Sequence, residues 1–263
     1  MDRVSRLRSG ILAAWYATWD AGCAAPDDVI SAVVGDDAPH LVGGLDDYPS
    51  GSTAPLSDGL IALRRTRSAV RLVLPVAGDV RGLPGPADFR SAAIEAGEAV
   101  VGAGLSLVPR INDYAPSSAP TSVLWRAFAT DAAPPDYVSV ADAQHDLTTE
   151  IRESATALSS AEVSGWIDDI SDELSDARRA GERLVLPPGH PARAVALLAQ
   201  AERLQAVLDI AARDPLGGAI DRTGIAARAS SMRPLATAVR RARLAGYNAV
   251  ADGMPTERRS GQA

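Results

Sequence analysis

The chain has 263 residues, 46% hydrophobic but only 4% aromatic, and carries a net charge of −7 from 33 acidic and 26 basic residues. That length supports one large domain or two small ones, and the acidic balance argues against a general nucleic-acid binder, which needs a basic face for phosphates. Every basic residue is arginine and none is lysine, which fits a high-GC bacterial genome and removes Walker-type phosphate loops, Schiff-base enzymes and protein kinases, all of which use a lysine ammonium.

The first predicted element is a helix over residues 3–21, because Val4, Leu7, Ile11, Trp15 and Trp19 recur three or four apart as on one amphipathic face. Arg3, Arg6 and Arg8 before this apolar run and Cys23 after it imitate a lipoprotein signal, but Asp20 stands where that signal wants an aliphatic residue. The plain helix is preferred. Cys23 is the only cysteine, which excludes an intrachain disulfide and zinc fingers or ribbons. Pro26, Asp27 and Asp28 start a short helix that Gly35 stops. Residues 36–58 read as loop, and residues 60–66 and 70–76 as a hairpin of two strands. A stretch rich in glycine and proline over 78–86 leads into a helix over about 87–101, in which Phe89, Ala93, Ala96 and Val100 share a face. Residues 105–111 and 122–130 read as two further strands. This order, α-α-β-β-α-β-β, predicts a small sandwich-like α/β domain over residues 1–133. Pro134 and Pro135 mark its end.

Beyond them all signals are helical. Ser139 and Asp142 make a capping box ahead of Val140, Ala143, Leu147 and Ile151. Ser159 and Glu162 repeat it ahead of Val163, Ile167, Ile170 and Leu174, and Gly181 stops that helix. A third helix runs from Pro191 to about residue 213, and a fourth from about 219 to 252, bent or interrupted at Pro234. The prediction is an α+β chain whose second domain, residues 136–252, is a four-helix-bundle-like unit, with 253–263 a disordered tail. Residues 139–182 hold 11 acids and 3 arginines, and residues 183–243 hold 4 acids and 10 arginines. Either these helices complement one another or one charged face awaits a partner. The run Arg71-Leu72-Val73-Leu74-Pro75 recurs at 183–187, and five residues in so repetitive a composition are treated as chance.

The stretch 78–90 is the candidate ligand-binding segment. Backbone N–H groups between a strand and a helix N-terminus, with Asp79, Arg81, Gly82 and Arg90 beside them, suit a carboxylate or phosphate. The alternative is a rigid turn in which Asp79 and Arg81 pair with neighbours. Asp142 and His145 have the acid-x-x-His spacing of bundle metal sites, but such a centre needs the motif on two helices and it occurs once. Neither metal nor cofactor is expected. No HExxH, GxSxG or complete GxGxxG pattern occurs, and Trp15, Trp19 and Trp125 read as core anchors. Arg240, Arg241 and Arg243 form a basic cluster within an acidic bundle, which argues against nucleic acid or membrane as the main partner. The reading is a cytoplasmic, non-catalytic protein-interaction or regulatory protein with a protein partner. The alternative is a small-anion sensor or enzyme using residues 78–90.

Overall fold

The computed structural model describes residues 6–111, 120–132, 136–160, 179, 181–213 and 222–253. The chain is α+β, with a mixed six-stranded sheet and helices in its N-terminal part and a helical C-terminal part. Packing divides it into two units: Arg6–Tyr137 with Val185–His190 and the chain from Tyr247 form one, Val138–Leu184 with Pro191–Gly246 the other. The last helix therefore contributes its final turns to the first unit.

That unit contains α1 (Arg8–Asp20), α2 (Pro26–Val34), β1 (Leu41–Gly43), β2 (Thr53–Pro55), α3 (Leu56–Arg65), β3 (Arg71–Val73), α4 (Ala87–Ala96), β4 (Ala99–Val101), β5 (Ser106–Ile111) and β6 (Val123–Phe128). The strand order is β2-β1-β6-β5-β4-β3, with β1 parallel to β6 and every other pair antiparallel. Alternation along the strands sorts the side chains onto two faces. On the first, Val42, Ala54, Val100, Leu107 and Trp125 pack with Leu12, Val29, Val33, Leu60 and Leu63 of the helices. On the second, Val73, Ala99, Val108 and Phe128 pack under Phe89, Ala92 and Ala93 of α4.

Three sequence expectations are corrected. Residues 60–65 belong to a helix that Thr66 caps, not to a hairpin strand. The apolar run Leu60–Leu63 is ambiguous alone, but Leu56, Gly59, Leu60 and Leu63 all lie on the buried side at helical spacing, with Asp58 in the first turn and Arg64 and Arg65 in the last. The segment 36–58 contains β1 and β2, whose three residues each are too few to show a period. The helix predicted to residue 101 stops at Ala96, because Gly97 takes a left-handed conformation at φ 71° and its N–H returns to the Ala93 carbonyl at 2.9 Å. Residues 99–101 are then free to pair as β4.

Helix α1 departs from the amphipathic expectation. Ser9, Gly10, Ala13, Ala14, Ala17 and Thr18 are buried along with the apolar stripe. A Cβ on Gly10 would stand only 3.0 Å from the Tyr247 ring, so the close approach requires glycine. At the far edge of the sheet the Asn248 side chain behaves as an additional strand. Its carbonyl oxygen accepts from Leu72 N–H at 2.8 Å and its amide donates to the Leu72 carbonyl at 3.0 Å, which closes the β3 edge.

The second unit holds α5 (Val140–Ser160), α6 (Ala192–Arg213) and the part of α7 (Arg222–Gly253) up to Gly246. Ala143, Leu147, Leu197, Ala201, Ala238, Val239, Ala242 and Ala245 form its core; such small side chains let helix backbones approach closely. Ser139 caps α5 as expected, its Oγ accepting the Asp142 N–H at 3.0 Å. Helix α7 continues across Pro234 without interruption. Ser159, expected to cap a new helix, lies instead in the last turn of α5, and the rest of that expected helix, residues 161–178, falls outside the described residues, as does the tail beyond Gly253. Of the repeated pentapeptides, the first contains β3 and the second has no regular structure, so no structural repeat accompanies the sequence match.

Candidate functional site

Asp79 and Arg81 are brought together in the loop after β3. Val76 and Asp79 exchange both backbone hydrogen bonds, at 3.1 and 2.9 Å, around Gly78. The tight turn presents the Asp79 carboxylate to Arg81, whose Nε and Nη2 donate to it at 2.8 and 2.7 Å. Asp136 lies 3.8 Å from the same Nε. The hydrogen bonds from Asp79 and the charge of Asp136 push the guanidinium pKa above its ordinary value. An anion at this loop would compete with two carboxylates already there. Gly82 adopts φ 76°, with Val73 and Asp136 packed around it. Arg90 turns elsewhere, its Nε donating to the Pro84 carbonyl at 3.1 Å.

A second polar constellation, missed in the sequence, lies inside the sheet unit. Arg8 donates to Asp37 through Nε at 2.7 Å and Nη2 at 3.0 Å. His40 Nε2 lies 3.1 Å from the same carboxylate, and Trp125 Nε1 donates to His40 Nδ1 at 3.2 Å. An indole N–H can only donate, so Nδ1 is the unprotonated nitrogen and Nε2–H donates to Asp37. Burial, set against the Asp37 contact, holds the His40 pKa below 6.5. Burial opposes the Asp37 charge as well, but the Arg8 and His40 hydrogen bonds outweigh it and keep that carboxyl below its usual range. Arg8, His40 and Trp125 are all buried and Asp37 is partly so, and the arrangement ties α1, the α2–β1 connection and β6 together. Asp37 and His40 are three residues apart, but Arg8 and Trp125 are distant from them in sequence, and nothing local signals the meeting.

In the bundle unit, a groove of about 480 Å³ between α5 and α7 is lined by His145, Asp146, Glu150, Pro234, Thr237 and Arg241 among others. Asp142 is not among these lining residues; its carboxylate accepts from the Ser139 hydroxyl at 2.7 Å. Among the described residues no group of three or more His, Cys, Asp or Glu side chains is placed to hold a metal. Asp146 lies 3.7 Å from Arg241, and Arg243 donates to Glu202 at 2.9 Å, so part of the basic cluster pairs within the bundle.

Accessible apolar ground also lies on the half of the second sheet face that α4 does not cover. The register aligns Pro55, Leu41, Leu124 and Arg110 in one row across β2, β1, β6 and β5, and Thr53, Gly43, Arg126 and Val108 in the next. Leu41 is 42% exposed, Pro55, Thr53, Arg110 and Arg126 are exposed, and Leu124 is half-buried. The Arg126 guanidinium lies 4.8 Å from the Phe128 ring centre.

Comparison with known proteins places relatives beside this geometry. Residues 9–138 match the N-terminal domain, and residues 141–244 the C-terminal domain, of the Rv1486c-like protein family. Over an alignment of 282 residues the chain is 30% identical to "Uncharacterized protein Rv1486c" of Mycobacterium tuberculosis H37Rv, covering 91% of this chain and 95% of that one. It is 27% identical to "Uncharacterized protein ML1804" of Mycobacterium leprae with the same coverages, 91% and 95%. No solved structure matches. The chain belongs to the Rv1486c-like protein family.

Proposed function

We propose that the protein binds another protein through the open half of its second sheet face and catalyses no reaction. The observation that carries this reading is the cross-strand row Pro55–Leu41–Leu124, apolar and exposed or half-buried on a sheet most of whose other apolar positions are covered. Sheets in two- and three-layer folds bury such rows beneath a helix, and exposed contiguous apolar ground marks interaction surfaces. The polar constellations support the same reading. The Arg8–Asp37–His40–Trp125 network is largely buried and internally satisfied, and Arg81 is held by Asp79 and Asp136. No described helix is long and apolar enough to cross a membrane.

The test is site-specific photocrosslinking in the native cell. A photoreactive residue at position 41 or 124 should give a discrete protein adduct. The same residue at Ile61, 48% exposed on α3, should not. Adducts from position 61 alone, or none from 41 and 124, would refute the assignment.

A further inference from the structure

The partner's chemistry is written on the same face. We propose that it is an acidic amphipathic helix, laid across β2, β1 and β6 with its carboxylates on Arg110 and Arg126; this rests on the protein-binding reading above. Arg110 stands opposite Leu124 and Arg126 opposite Val108, which makes the two arginines diagonal neighbours on one face, with Cβ atoms separated by about 7–8 Å. Both are exposed, and among the described residues neither has an ion pair. Arg8, Arg65, Arg71 and Arg81 are each held by an aspartate, whereas Arg64, which lies over the Trp19 ring, and Arg90, which donates to the Pro84 carbonyl, share with this pair the lack of an ion pair among the described residues. Two like charges this close repel, and carboxylates from outside the chain would turn that repulsion into attraction.

The shape specifies the rest. A row crossing four strands is about 14 Å wide, against a helix diameter of about 10 Å. Gly43 has no side chain of its own between Thr53 and Arg126, and the Leu124 and Thr53 side chains lie against it, which extends the apolar row into the next one. α4 already covers the other half of this face with Phe89, Ala92 and Ala93, and an incoming helix would complete the layer. A phosphate backbone would satisfy the arginines and leave the apolar row bare. A helix with an apolar stripe and an acidic flank satisfies both.

Selection from a randomised helical peptide library against the full chain tests this. Recovered peptides should carry apolar residues at i, i+3 or i+4 and i+7 with an excess of Asp and Glu beside them. Their affinity should fall at least about tenfold in Arg110→Glu/Arg126→Glu, whose circular dichroism stays unchanged, and should fall with added salt. Neutral or basic peptides, peptides that bind the double variant equally, or none at all would overturn the proposal. So would tighter binding of an oligonucleotide than of any peptide, or a concentration-dependent dimer that the double variant abolishes, which would make a second copy the occupant. If positions 41 and 124 crosslink to a protein while the selection returns no acidic helices, only the acidic-helix assignment fails. If those positions yield no protein, the reading beneath it fails.

Discussion

The two halves of the second sheet face differ although their residues are similar. Under α4, Val73, Ala99, Val108 and Phe128 meet Phe89, which is fully enclosed. Across β2, β1 and β6, the equally apolar Pro55, Leu41 and Leu124 belong to neither core cluster and stay exposed or half-buried. The cause is the amount of chain available to cover them. α4 has ten residues, a rod of about 15 Å, whereas six strands span about 24 Å. One short helix covers half the face. An apolar position on a strand therefore shows which face it lies on, and the covering layer decides whether it is core or contact surface.

The largest test of this difference is paired truncation. Phe89→Ala should lower the free energy of unfolding by about 3–5 kcal/mol in urea, since it empties a closed site. Leu41→Ala, already 42% exposed, should change it by no more than about 0.5 kcal/mol. Equal losses would mean that the halves are not different. Asn248→Ala comes next, because it leaves the Leu72 N–H and carbonyl at the β3 edge without their partner. A loss of about 2–3 kcal/mol is expected, together with faster hydrogen exchange at Leu72. A fragment ending at Tyr137 lacks the same cap and should be less stable than the intact chain. An unchanged melting temperature for either would show that the edge does not need Asn248.

The buried network on the first face gives a pH signature. His40 is held below its unfolded pKa of 6.5, so its contribution to stability is complete above that value. It is lost as pH falls toward the folded-state pKa, when the unfolded chain takes up a proton the folded chain refuses. Asp37, lowered from 3.8, adds a loss of the same sign at more acid pH. The melting temperature should decline between neutral pH and pH 5, with His40→Asn flattening that part of the curve. A decline as steep in the variant would assign it to other groups. The smallest effect is expected at Arg81, half-exposed against Asp79. Arg81→Ala should change stability by no more than about 1 kcal/mol.

Long or sharply punctuated elements were legible in the sequence. Pro26 and Gly35 frame α2, Ser139 starts α5, and the runs around residues 105–111 and 122–130 become β5 and β6. The three-residue strands β1 and β2 were not, because neither Leu41–Gly43 nor Thr53–Pro55 is long enough to show alternation. The glycines around residues 78–86 do mark a constrained turn, with positive φ at Gly78 and Gly82. The aspartate beside Arg81 was visible as well, and spacing alone could not tell whether it shares a ligand or occupies the guanidinium. The open face was hidden for a different reason. Leu41, Leu124 and Arg110 lie on three strands, and only the register brings them into one row.

The central claim, that this row is a protein-binding surface, is tested most directly by affinity purification from the native cell with a metabolite screen alongside. Wild type and Arg81→Ala should recover the same protein partner. Leu41→Asp/Leu124→Asp, folded by circular dichroism, should recover at least about tenfold less. Equal recovery by that double variant would contradict the account. So would a specific metabolite bound by wild type and lost in Arg81→Ala with no protein recovered, which would move the function to the loop over residues 78–90.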